Sequence, residues 1–172
     1  MKNILTFMIL NAFLLLTACS DDDNVQNDSN TYANEVSFDI SGAVEAEKKG
    51  SSYIVVVAGS TYMISNNDGT SASDQTFSLA FYKNFQDNST SNPAVGTYPI
   101  GTAVDLVNED GFLVVYTDTQ TGKDYSKDVS GTLTITNNSN NQLRGTFEFA
   151  ASNTNQGGSI QVTNGKFSAA ID

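Results

Sequence analysis

From Val36 onward, the apolar side chains of this chain recur at every second position, a spacing that suits a pleated strand and not a helix. Val36, Phe38 and Ile40 alternate with Ser37, Asp39 and Ser41; Phe77, Leu79 and Phe81 alternate with Ser78, Ala80 and Tyr82. The pattern returns at Leu133 and Ile135 between threonines, and at Phe147 and Phe149 between Thr146 and Glu148. Alternation of this kind puts one set of side chains in a core and the other in water, as in antiparallel sheets. Two continuous apolar runs, Tyr53 to Ala58 and Phe112 to Tyr116, predict strands buried on both faces. Turn residues separate these segments: Lys49-Gly50, Asn66-Asn67-Asp68-Gly69, Glu109-Asp110-Gly111, Thr121-Gly122-Lys123, Asn137 to Asn141 and Asn164-Gly165. Asn-Gly and Asp-Gly supply the positive φ that tight hairpins need. Gly131 and Gly145 are expected at the start of strands, where a Cβ would clash.

No long stretch of helical apolar spacing follows Leu16, and a short helix around Glu45 to Lys49 is the most the pattern admits. The expected fold is therefore all-β. It is an antiparallel β-sandwich of roughly eight to ten strands, with an open β-barrel as the alternative, occupying residues 35–172. A domain of that size buries about two-thirds of its unfolded surface, enough for a core without disulfide or metal.

Composition removes several functions. Against 19 Asp+Glu stand 8 Lys+Arg, giving a formal charge of −11, and there is no His and one Cys. A chain this acidic has no basic surface with which to neutralise phosphates, so no nucleic-acid partner is expected. Triads with a His base and zinc sites built on His and several Cys are excluded by the same counts.

The N-terminus reads as an address. Lys2 precedes an apolar run from Ile4 to Leu16, about the length of a signal-peptide core and short of the ~20 residues of a spanning helix. Leu16-Thr17-Ala18-Cys19 follows, and Cys19 is the single Cys. This arrangement resembles the lipobox of bacterial lipoproteins, which implies cleavage after Ala18 and a diacylglycerol and N-acyl lipid on Cys19. Acyl chains contribute ~0.8 kcal/mol per buried CH₂, so two or three of them hold a protein in a membrane. Ser20, Asp21, Asp22 and Asp23 come next and resemble the surface-export signal of bacteroidete lipoproteins. The boundaries expected are a signal peptide at 1–18, a lipidated and Asn-rich tether at 19–34, and the folded domain after it. The location implied is the outer membrane, facing the cell exterior.

The C-terminal stretches Ser130 to Thr136 (SGTLTIT), Gln142 to Ala150 (QLRGTFEFA) and Ile160 to Phe167 (IQVTNGKF) resemble the ending of a group of uncharacterised bacteroidete surface lipoproteins. Gly96-Thr97-Tyr98 is similar to their G-T-Y element. The resemblance implies a β-rich cell-surface domain and carries no activity with it.

Residues that might do chemistry are sparse. The carboxylates Asp105, Glu109, Asp110, Asp118, Asp124 and Asp128 show no spacing that selects a glycosidase pair. Asn66 and Asp68, and Glu109 and Asp110, offer oxygens before a Gly for calcium, but Ile64 and Leu106 stand where the first Asp of a calcium loop belongs. No cofactor is therefore expected, and calcium is a weak alternative. Tyr53 and Tyr116 fall within the apolar runs and are assigned to the core. Tyr82, Tyr98 and Tyr125 lie beside polar segments and are the candidates for stacking on a sugar ring. The functional expectation is a non-enzymatic binding module whose partner is a glycan or another envelope protein. The alternatives are a structural envelope lipoprotein without a small ligand and, third, a glycan-directed hydrolase.

Overall fold

The computed structural model describes residues 34–57, 61–71, 73–84, 93–155 and 157–171, all of them in the unit Tyr32–Asp172. Among the described residues nine strands follow one another: β1 (Glu35–Gly42), β2 (Ala46–Val57), β3 (Thr61–Asn67), β4 (Phe77–Asn84), β5 (Gly96–Ile100), β6 (Leu113–Asp118), β7 (Lys123–Ser139), β8 (Gln142–Asn153) and β9 (Ser159–Ala170). Eight form a closed antiparallel ring in the order β7, β6, β4, β3, β2, β1, β9, β8 and back to β7, and β5 is added alongside β7. The all-β expectation holds in its barrel form; the preferred sandwich does not, and the barrel is closed, not open.

The physical reason for closure lies in β7. Its 17 residues pair with β8 along one edge, while the other edge is shared. Lys123 to Tyr125 pair with β6, and Gly131 to Ile135 pair with β5. Register shifts at Tyr125/Lys127 and Lys127/Ser130 bend the strand between those two pairings, as β-bulges do. A sheet bent in this way meets its own other edge, whereas a sandwich needs two sheets that stay separate.

Eight strands enclose an interior that side chains just fill. Phe38, Phe77, Leu79, Phe81, Phe112, Tyr116, Leu133, Phe147, Phe149 and Phe167 are all buried there. Phe38 meets Phe77 edge-on with centroids 5.1 Å apart, and Phe81 meets Phe147 at 5.0 Å. Each such ring contributes about 1.5 to 3 kcal/mol through burial. The outward residues of β1, β8 and β9 include Asp39, Glu148 and Lys166. On this side of the barrel the interior is apolar and the exterior charged.

Several local expectations are corrected. Glu45 to Lys49 is mostly strand, with no helical turn. Lys49-Gly50 lies within β2 and Asn164-Gly165 within β9. Asn164 takes φ 54° next to a shift in the β8 and β9 register, so this pair makes a bulge instead of a turn. Gly131 stands in the middle of β7, with Gly145 also inside β8. The hairpin expected in the asparagine run forms at Asn140 and Asn141, both with positive φ, between β7 and β8.

The runs around Tyr53 and Phe112 are not buried on both faces. Ile54, Ile64, Phe81 and Val114 form one inward row, and the residues between them face out. The sequence is continuously apolar there because the outer face of β2, β3, β4 and β6 is itself apolar.

Candidate functional site

That outer face is ordered into three rows by strand register. The first is Val55, Met63, Tyr82 and Leu113, paired in turn across β2, β3, β4 and β6, and all four are half-buried. The second is Tyr53, Ser65, Ala80 and Val115. Tyr53 is 41% exposed, which corrects its assignment to the core. Ser65 and Ala80 are short and buried, 8% and 7% exposed, between Tyr53 on β2 and Tyr82 on β4. The two tyrosines are separated by two strand spacings and one pair of residues, roughly 12 Å.

The third row is polar: Ser51, Asn67, Ser78, Thr117 and Asp124. Asn67 Nδ2 donates to the Tyr53 hydroxyl at 3.1 Å and fixes that side chain. Ser51 Oγ is 3.4 Å from Asn67 Oδ1, and the Thr117 hydroxyl donates to Asp124 Oδ1 at 2.6 Å. Two aromatic rings, an apolar floor and a border of hydroxyl, amide and carboxylate groups are therefore assembled on one sheet face. Such a surface can stack against a flat apolar ring face and hydrogen-bond groups at its rim.

Of the three predicted tyrosines, only Tyr82 belongs to this face. Tyr98, on β5, donates its hydroxyl to Ala94 O at 2.9 Å and packs edge-on to Phe112 at 5.5 Å. Burial raises its pKa, and the Asp110 carboxylate adds to that, against the hydrogen bond to Ala94. Tyr125 is 1% exposed and tilts against Tyr116 with centroids 6.0 Å apart. Its position next to polar residues in sequence reflects a bulged strand turning inward, so it offers no ring to solvent. Sequence reasoning missed Tyr53, Met63 and Leu113. The signal that pointed to them was the apolar run with a tyrosine at its exposed end, read as two-sided burial.

The weak calcium candidates are not brought together. Asn66 faces the interior, fully buried, with Nδ2 donating to Leu79 O at 3.4 Å. Asp68 accepts from Thr76 N at 2.6 Å, from the Thr76 hydroxyl at 2.5 Å and from Phe77 N at 3.3 Å. Burial alone would raise its pKa, but these hydrogen bonds outweigh it and hold the carboxyl below the usual range. Glu109 and Asp110 lie at the other end of β4, where Asp110 pairs with Lys83. Phe77 and Lys83 are six residues apart on that strand, about 20 Å. Among the described residues no three His, Cys, Asp or Glu side chains group as metal ligands. Thr102 N and its hydroxyl donate to Asp105 and lower its pKa. Asp118 accepts from Gln120 N and the Thr121 hydroxyl. These carboxylates close turns. Cys19, Ser20, Asp21, Asp22 and Asp23 lie outside the described residues.

No curated protein and no solved structure matches the chain. Residues 85–170, half of its length and the part that contains β5 to β9, match the family described as a domain of unknown function, and the chain therefore belongs to the DUF6252 family.

Proposed function

We propose that this chain is a non-enzymatic glycan-binding lipoprotein of the outer membrane, held by acyl chains on Cys19 and displayed toward the cell exterior. The observation that carries the binding assignment is the outer face of β2, β3, β4 and β6, where Tyr53 and Tyr82 stand on either side of the short Ser65 and Ala80, with Ser51, Asn67 and Asp124 in the next row. A pyranose has an apolar face that stacks on a tyrosine ring and hydroxyls that the rim groups bond. The lipobox residues Leu16 to Cys19 and the acidic run Asp21 to Asp23 support the anchoring and its outward direction.

The alternatives receive less support. Edge-to-edge assembly of a structural protein uses long unpaired strands, whereas β5, the strand outside the ring, has five residues. A hydrolase needs a carboxylic acid of raised pKa, whereas the displaced carboxylates Asp68 and Asp105 are both lowered. A glycan array probed with the chain and with its Tyr53→Ala and Tyr82→Ala variants tests the proposal.

A further inference from the structure

The register of β2, β3 and β4 limits which glycan their outer face can hold. Tyr53 stands opposite Ser65 and Ser65 opposite Ala80, while Tyr82 lies two residues along β4 from Ala80. The line joining the backbones of the two tyrosines, roughly 12 Å long, therefore runs diagonally and crosses β3 between Met63 and Ser65. A pyranose linked through opposite ring positions advances about 5 Å per unit, at carbon–carbon and carbon–oxygen bond lengths of roughly 1.5 Å. One sugar cannot reach from tyrosine to tyrosine, whereas alternate units of an extended chain can. Where the linkages are equatorial, successive units are turned over, so those alternate units present the same face to the protein. The unit between them passes over Met63 and the short Ser65 and Ala80, and a chain lying on an open sheet face needs no cavity.

We propose that this face takes an extended, uncharged glycan chain with equatorial linkages, whose alternate units stack on Tyr53 and Tyr82. The inference rests on the glycan-binding reading and narrows it to one ligand class. Charge supports the restriction to neutral sugars. The three outer rows, from Val55 to Leu113, from Tyr53 to Val115 and from Ser51 to Asp124, hold no Lys or Arg among the described residues, and their one charged group is the Asp124 carboxylate. A uronate or sulfate on the glycan would meet no counter-charge there, and the chain's formal charge of −11 repels polyanions. The Tyr53 ring is held in advance by the 3.1 Å hydrogen bond from Asn67 Nδ2, so little side-chain ordering is left for binding to cover.

The test titrates the full chain with cellobiose, cellotriose and cellotetraose by calorimetry. Maltotetraose serves as the same sugar with an axial bond in each linkage, and the uronate-oxidised form of cellotetraose as the charged control. Cellotriose is expected to bind about fivefold more tightly than cellobiose, the gain from one further aromatic contact, and cellotetraose to add far less. Maltotetraose and the uronate form are expected to bind at least about fivefold more weakly than cellotetraose. Tyr82→Ala, shown by thermal melting to be folded, should bring cellotriose down to the affinity of cellobiose; if that variant does not fold, the length series of the unaltered chain decides. Equal affinity for cellobiose and cellotriose, or equal binding of maltotetraose or of the uronate form, would overturn the proposal. Other glycans bound through Tyr53 and Tyr82 while the cellobiose series is not would overturn this inference and leave the glycan-binding reading in place, whereas no binding of any glycan would overturn both.

Discussion

Phe147 on β8 lies so close over Gly165 on β9 that a Cβ on the glycine would sit 2.4 Å from Cδ2 of the ring. The relation is repeated two pairs along, where a Cβ on Gly145 would sit 2.6 Å from Cε1 of Phe167. Each ring covers the glycine that faces it across the sheet, which lets β8 and β9 coil tightly enough to close the ring. Gly165→Ala would also press on Phe147 O at 2.5 Å, a backbone atom that cannot rotate away. Overpacking of this kind costs about 1 to 3 kcal/mol. Urea unfolding should show the loss, and an unchanged midpoint would mean that the close approach is not needed.

The tyrosines differ in what their removal does to stability. Tyr82→Ala and Tyr53→Ala remove side chains from an outer face and should lower stability by about 0.5 to 1 kcal/mol. Tyr125→Ala opens a hole in the interior and should cost about 3 to 5 kcal/mol. Thermal unfolding of the three variants distinguishes them. A large loss for Tyr82→Ala would make it a packing residue.

Acid should weaken the fold partly through Asp68. Its pKa in the folded chain is below its unfolded value, so its contribution is complete above the ordinary carboxylate pKa of about 3.9 and fades as pH falls through the lower folded value. Asp68→Asn should lose about 1 kcal/mol at pH 7, with the difference from the unaltered chain shrinking as pH falls below the ordinary carboxylate pKa. Urea unfolding at several pH values checks this, and a difference independent of pH would deny Asp68 that role.

Anchoring is tested separately from binding. Cys19→Ala should abolish incorporation of labelled palmitate and leave precursor or released protein. Replacing Asp21, Asp22 and Asp23 together with Ala should protect the barrel from protease added to intact cells. Unchanged labelling in the first variant, or unchanged digestion in the second, would contradict the address read from the N-terminus.

Much of the barrel was legible in the period-two spacing because each strand has one face in the core: Val36, Phe38 and Ile40 all point inward as the alternation predicts. Ring closure was not, because it depends on how β7 divides one edge between its neighbour in sequence, β6, and the distant β5, where Ile100 pairs with Gly131. The glycine of Asn164-Gly165 looks the same in sequence whether it makes a turn or sits under Phe147 within a strand. For the site, local polarity misled. Tyr125 has Asp124 and Ser126 beside it yet turns inward at a bulge, while Tyr53 has Ile54 and Val55 beside it yet faces out. Which apolar face of a run meets solvent is fixed by register with neighbouring strands, and no single segment carries that information.

The most direct test of the account is saturable glycan binding by the outer face. The full chain and the Tyr53→Ala/Tyr82→Ala double variant should be applied to the same glycan array and any positive glycan titrated in solution. The account predicts saturable binding by the unaltered chain that is lost in the folded double variant. Binding that survives the double substitution, or no binding to any glycan, would contradict it.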